Sequence, residues 1–249
     1  MSVEVLDLEQ LVKDYAEDFL DGEQKKHADI KSPIIVWDRM HVLYGETKYT
    51  RPEVPPTPTS HVLFSANFVN NTPKTQTYAL RTERRTRSSC SICFTKIYTY
   101  SGGIQMRLTP PNPVIEANAG FQASLTNEKS ICQTFEQELA WSVDNGIEVP
   151  PGYQTKAELV IREDNFNGDF QILTTFEGKV LVTYESKKNR DHITTVNISV
   201  NKLFKGQKDF VFDELGRPTY TVKGVCKCRF GVEQNVKLTE SAIPIEDFD

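Results

Sequence analysis

Two stretches of the chain alternate apolar and polar residues with period two and mirror each other about a proline-rich break. Between Phe94 and Thr109 the even positions are Phe94, Lys96, Tyr98, Tyr100, Gly102, Ile104, Met106 and Leu108, mostly apolar, and the odd ones are Thr95, Ile97, Thr99, Ser101, Gly103, Gln105, Arg107 and Thr109, mostly polar. After Pro110, Pro111, Asn112 and Pro113 the pattern resumes in the opposite phase. There Ile115, Ala117, Ala119, Phe121, Ala123 and Leu125 are apolar, and Glu116, Asn118, Gln122 and Ser124 are polar. Successive strand side chains point to opposite faces, so each arm reads as a two-faced strand. Folded about the Asn112–Pro113 bond, paired positions sum to 225. Leu108 then faces Ala117, Met106 faces Ala119, Ile104 faces Phe121 and Tyr100 faces Leu125. The apolar faces coincide, and a one-residue slip would destroy the match.

Two readings of this hairpin, of about residues 94–126, stay open on periodicity alone. An ordinary β-sandwich hairpin would lay its apolar face on a core. A transmembrane barrel hairpin would turn that face to lipid and needs ~9–11 residues per arm, which each arm supplies. The polar face carries mostly small uncharged side chains of the kind that line a watery lumen.

The rest of the chain is patterned mainly as β. Leu6, Leu8, Leu11, Val12, Tyr15, Phe19 and Leu20 recur at helical spacing within residues 5–26, which predicts an amphipathic helical cap ending near Gly22. A strand starts at Pro33, and Pro52, Pro55, Pro56 and Pro58 mark an extended linker. Strands are expected over 60–80, 88–109, 114–145, 153–164, 169–185, 191–204 and 218–238. Several far exceed the usual five or six residues, which implies a rod. The predicted fold is mainly β, an elongated body of long twisted antiparallel strands with a small N-terminal helical segment. Three regions follow: a helical, receptor-side segment and linker at 1–58, an elongated β region at 59–240, and an acidic tail at 241–249.

Composition narrows the function. The 249 residues are 38% hydrophobic and 25% charged, values of a folded globular chain. A net charge of −5 argues against nucleic acid as the main partner. The N-terminus lacks the basic and apolar regions of a secretory signal, so the expectation is secretion or release without a visible signal peptide. Arg81, Arg84, Arg85 and Arg87 could attract anionic head groups, although such a run more often forms a solvated strand face. The four histidines are scattered, and no phosphate loop, nucleophile elbow or paired-carboxylate context stands out. An enzyme is not expected, and no cofactor is called for.

Five cysteines, Cys90, Cys93, Cys132, Cys226 and Cys228, make no small-scaffold framework. In the 225 register Cys93 falls opposite Cys132, so one cross-strand bridge can form, with buried or free thiols as the default. A zinc site from the Cys-x-x-Cys and Cys-x-Cys pairs meets poor geometry, because strand positions i and i+3 point to opposite faces.

The order of the pieces is more specific than any one of them. A helical segment leads to a long strand and Phe68-Val69-Asn70-Asn71-Thr72. A Ser/Thr-rich strand, the two-faced hairpin and a return strand come next. Ile147-Glu148-Val149-Pro150-Pro151-Gly152-Tyr153 and then Phe176-Glu177-Gly178 complete the order. This order resembles the epsilon-toxin/mosquitocidal-toxin family of aerolysin-like β-pore-forming proteins over roughly residues 5–238. The resemblance implies a monomer that binds a target membrane through a glycan, lipid or protein receptor, assembles into a homo-oligomer and inserts one hairpin per subunit. Tyr98, Tyr100, Ile104, Met106, Leu108, Ile115, Ala117, Ala119, Phe121, Ala123 and Leu125 would then face lipid. Thr99, Ser101, Gln105, Arg107, Glu116, Asn118, Gln122 and Ser124 would face the lumen, with Pro110, Pro111, Asn112 and Pro113 at the tip. Cleavage at Lys25, Lys26 or Lys237 would release inhibitory termini. A non-lytic carbohydrate- or protein-binding module is the alternative.

Overall fold

The computed structural model describes residues 3–50, 58–101, 105–117, 121, 125–128 and 130–244. In chain order the elements are β1 (Glu4–Asp7), α1 (Leu8–Glu17), α2 (Gly22–His27), β2 (Ile34–Val36), β3 (Met40–Thr50), β4 (Thr59–Val69) and β5 (Gln76–Thr99). There follow β6 (Gln105–Leu108), α3 (Asn112–Glu116), β7 (Leu125–Glu128), β8 (Cys132–Val149) and β9 (Tyr153–Glu185). The chain closes with β10 (His192–Ser199), α4 (Val200–Leu203), β11 (Phe210–Phe212) and β12 (Pro218–Ala242).

β9 is the spine. Its 33 residues span roughly 100 Å at the usual rise per residue, so the expected rod is there. β12 runs antiparallel beside it from Thr219↔Thr175 to Ala242↔Tyr153. β4, β3 and β2 pair in turn with successive lengths of β9. β5 adds to β12, and β8 adds to β5.

The sequence places a break in β9 between residues 164 and 169, but the strand is continuous. What changes there is the phase of its buried face. Thr155, Ala157, Leu159 and Ile161 are buried at odd positions, whereas Phe166, Phe170, Ile172, Thr174 and Phe176 are buried at even ones. The switch separates a small core around Leu80, Val143, Ile147 and Leu159 from a larger one around Phe94, Tyr98, Phe176 and Tyr220. At the junction Glu163 is buried against the Arg229 guanidinium, with Nε and Nη2 donating to Oε2 at 2.8 and 2.5 Å. β12 carries a register shift at the same level, between Gly231 and Glu233.

The two turns that carry the resemblance lie together at one end. Asn70 is fully buried, and its Nδ2 donates to the carbonyls of Lys74 and Val149, both at 2.8 Å. Its Oδ1 accepts from the Thr72 amide and hydroxyl. The Gly152 amide donates to the Asn70 carbonyl at 3.0 Å, and Gly152 has φ +73°, a conformation suited to glycine.

The N-terminal cap is helical but with other bounds: Glu4–Asp7 form strand β1, α1 ends at Glu17, and a second helix begins at Gly22, where the sequence pattern places the end of the cap. Asp7 caps α1 by accepting from the Glu9 and Gln10 amides, and Leu8, Val12 and Ala16 are buried in the larger core. Residues 200–203 are helical where a strand is expected, and Ser241 and Ala242, assigned by sequence to the tail, belong to β12. No described helix is long and apolar enough to cross a membrane, a fact silent about β-barrels.

Candidate functional site

The shaft of the hairpin is β5 and β8. They pair without interruption from Gln76↔Val149 to Cys93↔Cys132, so partners sum to 225 as the sequence requires. The Phe94 amide extends the same register by donating to the Ile131 carbonyl at 2.9 Å. Cys93 and Cys132 are joined by a disulfide at the shaft's upper end, their Cα atoms 4.1 Å apart. This is the bridge the register allows, in place of the default free thiols. The arginine run lies on the shaft as an exposed ladder: Arg81 pairs with Asp144, Arg87 with Glu136 and Arg85 with Glu138, while Arg84 lies over the Phe64 ring.

Beyond the disulfide the tip departs from the extended hairpin. β6 and β7 pair as Leu108↔Leu125 and Gln105↔Glu128, partners that sum to 233. Residues 112–116, expected to span the turn and the start of the second strand, form the helical turn α3. Pro111 and Pro113 flank the start of this turn, where a missing amide is tolerated. The tip is folded back on the body in this form.

Packing explains why it stays there. Of the residues assigned to the lipid face, Tyr98, Met106, Leu108 and Leu125 are buried in the larger core, as is Val114 of α3. Tyr100, Ala117 and Phe121 pack against it half-buried, and Ile115 is exposed. Tyr98 meets Phe176 and Tyr220 edge-on at 5.1 and 5.7 Å, and Tyr100 lies 5.4 Å from the Trp37 ring. Of the lumen set, Ser101, Arg107 and Glu116 are exposed, Thr99 pairs with Asp7, and Gln105 lies in β6. Pro110 and Pro111 are buried, Pro113 is half-buried and Asn112 is exposed. Ile104, Asn118, Ala119, Gln122, Ala123 and Ser124 fall outside the described residues.

Two hydrogen bonds tie the tip to β3. The Tyr49 hydroxyl donates to the Thr109 carbonyl at 2.7 Å, and the Thr109 amide donates to the Thr47 hydroxyl at 3.2 Å. Burial pushes the Tyr49 phenol upward, so it remains a donor at any physiological pH. Nothing in the alternation pattern signals this latch, because its partners lie 60 residues apart.

β1 supplies a third restraint. It pairs in parallel with Lys96–Thr99 of β5. At Lys96 the other side of β5 is taken by Lys223 of β12. β1 therefore occupies the edge that β8 holds lower down, where the 225 register would place residues 126–129.

The proposed cleavage lysines lie within regular structure. Lys25 and Lys26 sit in the last turn of α2 beside Glu17 and Glu23, and Lys237 pairs with Glu158 across β12 and β9.

The remaining cysteines gather elsewhere. Cys90 and Cys93 do point to opposite faces, as expected, but Cys90, Cys226 and Cys228 converge, buried, on the core side. Hydrogen bonds from Cys226 and Cys228 pull the Cys90 thiol below its ordinary value against the opposing effect of burial. Cys228 is pushed up by its hydrogen bonds to Cys226 and Cys90 and by burial.

No protein-family model and no curated protein matches the chain. Solved structures do. A non-toxic crystal protein from Bacillus thuringiensis superposes with TM-score 0.62 at 13% identity, over 96% of this chain and 98% of that one. A chain of the Cry23Aa1–Cry37Aa1 binary complex gives 0.60 at 13% identity, over 96% and 90%. The Mpp75Aa1.1 β-pore-forming protein from Brevibacillus laterosporus gives 0.51 at 12% identity, over 97% and 98%. Identities this low establish a likeness of fold. By its fold, mainly β with a long-stranded body and a small helical cap, this chain is similar to these proteins and to the β-pore-forming protein among them.

Proposed function

We propose that this protein is a β-barrel pore former of toxin or defence type, which binds a target membrane, oligomerises and inserts one hairpin per subunit. The observation that carries the reading is the pair of registers. The shaft is set at 225, and continuing that register past the disulfide puts Tyr100 opposite Leu125, Ile104 opposite Phe121, Met106 opposite Ala119 and Leu108 opposite Ala117 on one face. The folded-back tip instead uses 233 and buries Met106, Leu108 and Leu125 of that face in the core.

Passage between the states requires β6 and β7 to unpair, α3 to unwind and β1 to leave the edge of β5. The disulfide need not change, since Cys93 and Cys132 are partners in the shaft register; it is the fixed point from which the hairpin re-zips. Uncovering Met106, Leu108 and Leu125 costs about 1.5–3 kcal/mol each in water. Contact with lipid removes that cost. A single inserted hairpin would leave two unpaired edges in hydrocarbon, each group costing several kcal/mol. A ring of hairpins satisfies them, so oligomerisation precedes insertion. Arg107 and Glu116 would both face the lumen and leave it nearly neutral.

The test is dye release from liposomes together with an environment-sensitive probe at residues 106 and 107. Lipid-like emission at 106 and water-like emission at 107 support the reading. Membrane binding with neither probe changed returns the hairpin to the body and favours a non-lytic binding module. The fold alone does not decide this, since one structure that shares it is described as non-toxic.

A further inference from the structure

Cys90, Cys226 and Cys228 form a site of their own, independent of whether the hairpin inserts. β5 and β12 pair so that Cys90 and Cys228 are direct partners. Cys226, two residues along β12, projects to the same face. The Cys90 and Cys226 sulfurs are 3.6 Å apart, those of Cys226 and Cys228 are 3.5 Å apart, and all three lie within 4.8 Å of one another. Each residue is at most 4% exposed. A packing role would be met by alanine or valine at each position and does not call for three sulfurs turned toward one point.

We propose that these three sulfurs bind one monovalent soft metal ion, Cu(I), in three-coordinate geometry. Metal–sulfur bonds of about 2.3 Å place three trigonal sulfurs roughly 4 Å apart, within a rotamer adjustment of the spacing here. Thiolate ligands select soft ions such as Cu(I) and zinc. Structural zinc sites are closed by four ligands, and no histidine, aspartate or glutamate joins the three sulfurs among the described residues. The coordination number therefore favours copper over zinc. Binding exchanges thiol protons for the metal: each S–H that becomes a ligand releases H⁺ to solvent, with no change of oxidation state.

The way in is on the hairpin side. A groove of about 470 Å³ between β3 and the tip is lined by Glu46, Lys48, Tyr49, Pro111, Pro113 and Phe166. Two of these adjoin the cysteines: Phe166 is the β9 partner of Cys228, and the Tyr49 hydroxyl lies beside Cys226. Their rings meet edge-on at 5.6 Å. Displacement of these two rings opens a path from the groove to the thiols.

The test is an anaerobic Cu(I) titration of the full chain, its disulfide intact, against a chromophoric Cu(I) chelator. One equivalent bound per chain is expected, with ultraviolet sulfur-to-copper charge transfer and three sulfur neighbours by X-ray absorption. Cys226→Ser and Cys228→Ser each lower the affinity at least tenfold, while Cys93→Ser/Cys132→Ser leaves it unchanged. Circular dichroism confirms that each variant is folded. A Cys90→Ala/Cys226→Ala/Cys228→Ala variant that still binds one equivalent would overturn the assignment. So would wild-type protein that takes up no copper, or one that binds zinc in preference to copper.

Discussion

Leu108 separates the two lives of the hairpin, because it is 1% exposed in the folded-back tip and faces lipid in the proposed pore. Replacing a fully buried leucine by alanine costs about 2–5 kcal/mol. At a mid-range of about 3 kcal/mol the loss falls on the docked tip and raises its open population roughly 150-fold, at about 1.4 kcal/mol per tenfold. Opening is local, since β6, α3 and β7 can leave while the β9–β12 spine stays paired. Leu108→Ala is therefore expected to speed amide exchange at 105–116 without matching exchange in β9, and to shorten the lag of liposome dye release. Leu108→Asp separates docking from insertion: it opens the tip as readily but carries a charge into lipid, so exchange quickens while release is lost. Leu108→Ala with fast exchange but unchanged or slower release would refute the claim that tip docking limits insertion. Exchange that rises equally in β9 would refute the claim that opening is local.

Removing residues 1–7 frees the β5 edge held by β1, so faster oligomerisation on liposomes is expected than for the full chain; equal rates would mean that β1 is not a barrier. Cys93→Ser/Cys132→Ser, which unlinks residues 39 apart, is expected to lower stability by about 2–4 kcal/mol, read as an earlier thermal melt. Gly178 has φ +91°, and a Cβ there would lie 2.1 Å from the Arg39 carbonyl oxygen. Gly178→Ala should thus lower the melting temperature by at least several degrees, which calorimetry checks. Single channels in a salt gradient should reverse near zero, and Arg107→Gln, which leaves Glu116 unopposed, should shift the reversal toward cations.

The sum 225 follows from period-two alternation over residues 94–126, yet it holds in the shaft between β5 and β8 and not in the tip that supplied it. That same rule hid the register of the tip. The sums 225 and 233 differ by an even number, so both bring apolar faces into coincidence, and the choice is made by contacts with Tyr49, Thr47 and the core under Leu108. The break read into β9 has a similar origin: the buried face changes phase near Glu163, and alternation interrupted in sequence looks like an interrupted strand. α3 was missed because Val114 and Ile115 fit a strand pattern as well as one helical turn. β1 was read as the start of the helix, since Leu6 and Leu8 fit helical spacing, and its parallel pairing with Lys96–Thr99 has no local signature. The convergence of Cys90 with Cys226 and Cys228 depends on the pairing of β5 with β12 across 136 residues, which spacing along the chain cannot report.

Paired cysteines read the change of partner at Leu108 directly. Leu108→Cys/Leu125→Cys joins direct partners of the folded-back tip, whereas Leu108→Cys/Ala117→Cys joins partners of the extended hairpin. The first pair is expected to cross-link in solution and then to block dye release until reduced. The second pair is expected to cross-link in the membrane-bound oligomer, which stays permeable. Release by the cross-linked 108–125 protein, or an oligomer in which 108 still pairs with 125, would contradict that change of partner.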